Sequence, residues 1–312
     1  MYKIFTFLKN NALPVAMLTG GIFHNFFAQF GFLMPYFLFV MLLLSFSRVS
    51  MRELKPKKLH FILLAIEVLG ALGAYYALSG YNKILAESVM MIILCPTATA
   101  AVIITTKLGG SAASITTYTL MANITVAVVI PIFFPIIEPG TGMTFWDGFF
   151  TISKRVFPLL VCPMILAELL RHFWKKAHSF LEKNSALSFY MWAVTLTTLV
   201  GIMVKTVIET PENYHIDILM AVAAMVICIA LFVSGKKIGT HFNDRISAGQ
   251  AIGQKNTTFS IWAAQTYLDP LSSVCSGFYI IWQNLFNSWQ LQKKRKMDEA
   301  KQKQEAQTSN PS

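Results

Sequence analysis

The sequence predicts an all-α polytopic membrane protein with ten transmembrane helices in two inverted five-helix repeats. Three observations lead there. Of the 312 residues, 55% are hydrophobic and only 13% are charged, about half the charged share of a soluble domain and too little to cover a soluble surface. The apolar residues fall in runs of about 20, the length that crosses about 30 Å of hydrocarbon as a helix. Two of those runs are interrupted, and they hold corresponding places, fourth of the first five and fourth of the second five. That pairing is the pattern of inverted-repeat membrane proteins with a site at the bilayer midplane.

In order, the expected spans are 8–24, 29–47, 59–80, 86–107, 111–137, 156–173, 187–208, 216–235, 246–268 and 270–291. The first reads as a span and not as a cleaved leader, because further spans follow it and no small-x-small cleavage site stands out. The third, fourth and ninth spans carry the features that matter below. Between the fifth and sixth, Phe145–Arg155 (FWDGFFTISKR) is amphipathic and is expected to lie along the outer interface. The stretch 293–312 (KKRKMDEAKQKQEAQTSNPS) is polar and repetitive and is expected to be a disordered basic tail. Residues 1–292 then form the ten-span unit.

The net charge of +11 raises the question of nucleic acid, and its distribution answers it. Basic residues crowd around Arg48, Arg52, Lys55, Lys57 and Lys58, at Lys107, from Arg171 to Lys183, at Lys236, Lys237 and Arg245, and at Lys293–Lys296. The intervening connections hold most of the acids: Glu87, Glu138, Asp147, Glu209, Glu212, Asp217 and Asp269. This alternation is the positive-inside rule. It makes the excess charge a topology signal for a bilayer, with no nucleic-acid partner. It places both termini in the cytoplasm of a multi-pass protein of the bacterial inner membrane. Cys95, Cys162, Cys228 and Cys275 all lie in apolar runs, where small-hydrophobe packing is their expected role, and no cysteine/histidine cluster suggests a metal or other cofactor. The six histidines fall at or near span ends and make no HExxH, so an enzyme is not expected.

Spans four and nine are poor continuous helices. Pro96, in CPTATAAVIITT (95–106), removes a backbone donor and clashes with the preceding turn. Gly253 opens a run of amides and hydroxyls in AIGQKNTTF (251–259). Non-helical backbone at membrane depth is tolerated only where protein or a wet cavity covers it. Two ordinary kinked helices would also fit these residues. Within span nine, Lys255 is the only charge from Ile246 to Leu268, and Glu67 is the only full charge from Leu59 to Asn82. A lone charge at the centre of a span costs on the order of 3 kcal/mol or more.

At CPTATAAV (95–102) and AIGQKN (251–256) the chain resembles the bile acid:sodium symporter family. Supporting likeness comes from LMPYFLFVMLLLSFS (33–47), LAES (85–88) and GFYIIWQNLFNSW (277–289). The resemblance runs over nearly all ten spans. It implies a panel domain from spans one, two, six and seven, and a core domain from spans three to five and eight to ten, in which the broken fourth and ninth helices cross. It also implies alternating-access transport of an amphipathic organic anion, driven by two sodium ions.

The chain departs from that family where sodium would bind. The span-four Ser-Asn pair falls on Ala101 and Val102, the span-nine Glu on Ala251, the span-nine Gln on Lys255 and a span-three Gln on Glu67. Thr119 keeps a hydroxyl position, and Asn123 lies one turn beyond it. A sodium ion beside an ammonium is repelled at low dielectric, whereas an ammonium can offer three donors to the same acceptors. The expectation is therefore that Lys255 and Glu67 form an ion pair that couples transport, either to protons or to no ion. Thr97, Thr99, Gln254, Asn256 and Thr257 are the candidate substrate contacts at the crossing, beside Thr119 and Asn123. A cation/proton antiporter on a similar scaffold and a conventional sodium symporter are the rival readings. Lys205 and Glu209, spaced i, i+4, read as an ordinary interfacial pair.

Overall fold

The computed structural model describes residues 12–49, 54–138, 143–211 and 214–308. Among these residues the regular structure is entirely helical, with one isolated β-bridge. The helices are α1 (Ala12–Ile22), α2 (His24–Ala28), α3 (Met34–Phe46), α4 (Lys58–Ser79), α5 (Lys83–Leu94), α6 (Ala101–Lys107), α7 (Ala112–Ile137), α8 (Phe145–Leu160), α9 (Cys162–Phe173), α10 (Lys175–Lys183), α11 (Leu187–Glu209), α12 (Tyr214–Thr240), α13 (Arg245–Gly253), α14 (Thr257–Tyr267) and α15 (Ser273–Thr308). Residues 8–11 of the first expected span, Arg52 and Glu212 of the charge pattern, and 309–312 of the tail lie outside the described residues.

Many helix starts are legible locally. Asn82, Ser111, Thr144 and Asn256 cap α5, α7, α8 and α14 by accepting a backbone N–H with a side-chain oxygen. At Thr144 the bond is returned: Asp147 accepts from the Thr144 hydroxyl at 2.7 Å and from its backbone N–H at 3.1 Å. These two bonds hold the exposed Asp147 carboxyl below its ordinary range.

Among the described residues, five helical stretches are long and apolar enough to cross a membrane: His24–Phe46, Lys58–Ser79, Ala112–Ile137, Tyr190–Glu209 and Tyr214–Thr240. A sixth arises if α8 and α9, bent by 42° where Val161 separates them, count as one. The described residues thus form an all-helical structure of membrane-protein character. The count of continuous spans is below the ten expected: α1 has 11 described residues, α15 is long but not apolar enough, and two further segments are broken. The fourth and ninth segments are each cut in two, into helices of 12 and 7 residues and of 9 and 11 residues. The tail also differs from expectation. α15 runs unbroken to Thr308, 36 residues in all. Its last part is rich in Lys, Gln, Glu and Ala, all good helix formers, and Lys294 pairs with Asp298 one turn on at 2.6 Å.

Buried apolar side chains form several clusters among the described residues. One cluster joins α3, α5, α7, α8 and α14 through Leu42, Met90, Leu94, Ile130, Val156 and Phe259. Another joins α4, α7, α12, α13 and α15 through Leu63, Tyr118, Met220, Phe232, Ile252 and Tyr279. Within them α4 lies along α5, and α12 lies along α13. Apart from these, α1 packs on α11, and α3 on α9.

The turn from α12 into α13 is tight, with Asn243 at φ 53°, a left-handed conformation that Asn tolerates better than most residues. The two helices then run so close that a Cβ on Gly253 would stand 2.5 Å from the Phe232 ring. Gly253→Val is therefore expected to overpack this contact at a cost of roughly 1–3 kcal/mol or more. A lowered melting temperature of the purified protein in detergent is the measurement, and an unchanged one would show that the helices can separate without penalty.

Candidate functional site at the crossing of two broken helices

The helix α5 ends at Leu94, because Pro96 has no N–H to continue it. The helix α13 ends at Gly253. The two extended connections that follow run antiparallel and pair at Thr97 and Lys255. Asn256 donates its N–H to the Pro96 carbonyl at 2.8 Å, and Ala98 donates to the Gln254 carbonyl at 2.9 Å. Each break thus satisfies backbone groups of the other. This is what allows unwound chain to be buried: Thr97 and Lys255 have almost no solvent exposure.

Each broken helix also leaves carbonyls at its C-terminal end, where the helix dipole is negative. The two ends are served differently. At the end of α13, the Thr97 hydroxyl donates to the Ala251 carbonyl at 2.6 Å and the Tyr279 hydroxyl donates to the Gly253 carbonyl at 2.7 Å. At the end of α5 the donor is the Lys255 ammonium, 2.7 Å from the Ile93 carbonyl and 2.9 Å from the Cys95 carbonyl. Thr97→Val removes the hydroxyl cap and should lower stability by about 1 kcal/mol. Thr97→Ser, which keeps the donor, should recover most of it in the same melting assay.

The third donor of the ammonium meets Glu67. Lys255 Nζ lies 3.1 Å from Glu67 Oε2, and both side chains are 1% exposed. The same oxygen accepts from the Tyr118 hydroxyl at 2.6 Å, while Oε1 has no hydrogen-bond partner among the described residues. The Lys255 nitrogen therefore has three acceptors within reach, two of them at a helix C-terminus and one a carboxyl oxygen. The backbone beneath it is fixed as well, since Lys255 N–H donates to Gln283 Oε1 at 3.0 Å.

Of the residues singled out from the sequence, Glu67, Lys255, Thr97, Pro96 and Gly253 meet at this point. Gln254 and Asn256 take part mainly through their backbones. The Asn256 side chain caps α14 by accepting from the Phe259 N–H at 3.3 Å, and Gln254 Oε1 is buried without a partner among the described residues. Thr257 is buried at the start of α14, and Thr99 is partly exposed on the connection before α6. Thr119 and Asn123 keep their donors within α7: Thr119 bonds the Ile115 carbonyl at 2.8 Å, and Asn123 bonds the Thr119 carbonyl at 2.7 Å. Sequence reasoning missed Tyr118, Gln283 and Tyr279. Tyr118 directly precedes Thr119, and the helix turns it toward α4.

A cavity of about 580 Å³ lies elsewhere, between α3 and α11 on one side and α14 and the turn Pro270–Ser272 on the other. Met34, Leu199, Ile261 and Trp262 give it apolar walls, and Lys205, Glu209 and Gln265 give it polar ones. The expected substrate contacts at the crossing are not among its walls. Lys205 and Glu209 are 3.7 Å apart and line this cavity, a setting that their spacing alone did not reveal.

Serine, histidine and aspartate meet where α4, α7 and the α12–α13 turn come together. Ser114 donates to Asp244 Oδ2, and His60 Nε2 lies 2.9 Å from the Ser114 hydroxyl. The aspartate holds the serine and not the histidine, so the order differs from a nucleophilic triad, in which the acid orients the base. The sequence matches no family model and no curated protein.

Proposed function

We propose that this chain is a secondary transporter of an organic anion, working by alternating access, in which a tethered ammonium stands where a dissolved cation would otherwise bind. The observation that carries the reading is the seat of Lys255: an ammonium held by two main-chain carbonyls at a helix end and by a buried carboxylate. Carbonyl oxygens plus a carboxylate are the acceptors a small cation would use. With a lysine in the place, a sodium ion has no seat, and the coupling event that remains is proton exchange on the Lys255–Glu67 pair.

The packing supports a ten-span, inverted-repeat architecture as the finer form of this fold. Counting α5 with α6 and α13 with α14 as single broken spans, span three lies on four as span eight lies on nine. Span one lies on seven as span six lies on two. These are the correspondences that two inverted halves would give. On this reading α1, α3, α9 and α11 form a panel, the other spans form the core, and the basic loops and both termini face the cytoplasm. The resemblance to the bile acid:sodium symporters fits this arrangement. The 580 Å³ cavity then lies between panel and core and has the volume of a small organic solute. A volume of that size favours an organic substrate over bare cation/proton exchange.

The test is uptake into proteoliposomes of a panel of small carboxylates and bile-acid-like anions, with sodium replaced throughout by choline and a pH gradient imposed. Uptake is expected to persist without sodium and to rise with the gradient. A strict sodium requirement would overturn the proposal. Proton exchange driven by an alkali cation gradient, with no organic solute present, would establish the antiporter in its place.

A further inference from the structure

We infer that, of this pair, Glu67 is the residue that takes up and releases the proton, through its oxygen Oε1, which has no partner among the described residues. This rests on the proposed function and assigns the proton within it to one atom.

The argument is a hydrogen-bond inventory. Lys255 Nζ has three acceptors, at 2.7, 2.9 and 3.1 Å. Two of them, the Ile93 and Cys95 carbonyls, can only accept. A neutral amine has two protons and would leave one of the three contacts facing a lone pair. Loss of a proton from the lysine therefore breaks the seat, and the negative end of the α5 dipole opposes it.

Glu67 is arranged in the opposite way. Both of its donors, the Tyr118 hydroxyl and the Lys255 ammonium, converge on Oε2, and Oε1 is buried with no partner among the described residues. Oε2 can accept both bonds as the carbonyl oxygen of a protonated carboxyl, whereas Oε1 has no donor to stabilise a negative charge. A bare anionic oxygen in such a place is the costly state. Protonation forms one O–H bond at Oε1 with a proton from water on whichever side the crossing faces, and it cancels the carboxylate charge. The ammonium keeps its charge, compensated in part by the helix end on which it sits. The titratable groups facing Glu67 are Lys255 from the α13–α14 connection, Tyr118 from α7, Cys95 from the end of α5 and Tyr279 from α15.

The experiment is pH-difference infrared spectroscopy on the full-length purified protein, combined with NMR of isotope-labelled lysine. Neither readout needs a substrate. A carboxylic-acid carbonyl band should grow on acidification between about pH 9 and pH 4 and be missing in E67Q. The Lys255 side-chain signal, assigned by its loss in K255R, should keep its ammonium shift over the same range. Tyr118→Phe leaves both charges in place and removes a donor to the anionic form, so the band should appear at higher pH. This second variant keeps the assignment testable if E67Q fails to fold. A Lys255 signal that moves to the amine shift would overturn the inference, as would a carboxyl band indifferent to both E67Q and Y118F. If uptake proved sodium-driven while the Glu67 band still titrated, the transport reading would fail and this assignment would stand. A pH-driven uptake with no Glu67 band would do the reverse.

Discussion

Lys255→Met should be the most damaging single substitution at the crossing point, lowering stability by about 3–5 kcal/mol. The change removes one side chain and strands three acceptors. The Ile93 and Cys95 carbonyls lose their donor, and the Glu67 carboxylate, 1% exposed, loses its counter-charge. Glu67→Gln is expected to cost much less. Its amide oxygen can still accept from Tyr118 and from the ammonium, and the lysine keeps both carbonyls. The double variant Glu67→Leu with Lys255→Met should recover part of the loss, because no buried charge then remains unpaired. Thermal or denaturant unfolding in detergent orders the three. Equal losses for Lys255→Met and Glu67→Gln would mean that the carbonyl seat contributes nothing beyond the ion pair.

The second large effect concerns transport. In proteoliposomes, Glu67→Gln should bring gradient-driven uptake down to the level measured without a gradient, while exchange of substrate across the membrane at equal pH continues. The reason is that glutamine fills the same space and keeps the hydrogen bond from Tyr118, yet has no titratable oxygen. The alternating movement is then expected to persist and only its link to the proton to be cut. Loss of exchange along with gradient-driven uptake would mean that the carboxylate is needed for the movement itself.

Much of this arrangement is legible in the sequence because the membrane punishes exceptions. A proline and a glycine in two otherwise apolar runs mark the breaks at Pro96 and Gly253. Glu67 and Lys255 are each the only full charge in a span, and two lone charges need each other, so their contact can be expected before any coordinates. What is not legible follows from equally plain physics. The carbonyls of Ile93 and Cys95 belong to the backbone, and no residue type announces them. Tyr118 and Thr119 are neighbours in sequence, but about 100° of helix rotation separates them, and it is the tyrosine that faces Glu67. The cavity draws its walls from three separate stretches of chain, so Lys205 and Glu209 look like an ordinary surface pair until the helices are placed around them. In α15, a polar composition suggested disorder, while side chains that favour helix and the Lys294–Asp298 pair are consistent with the helix to Thr308.

The central claim is that the lysine occupies a cation seat, and chemical rescue tests it most directly. Lys255→Gly leaves the two carbonyls and Glu67 facing an empty place large enough for a small cation. The melting temperature of this variant, measured in ammonium, methylammonium, sodium and choline chlorides at equal ionic strength, should rise with the small cations relative to choline. The parent protein should melt at the same temperature in all four. A parent stabilised specifically by sodium, or a glycine variant indifferent to every cation, would contradict the account.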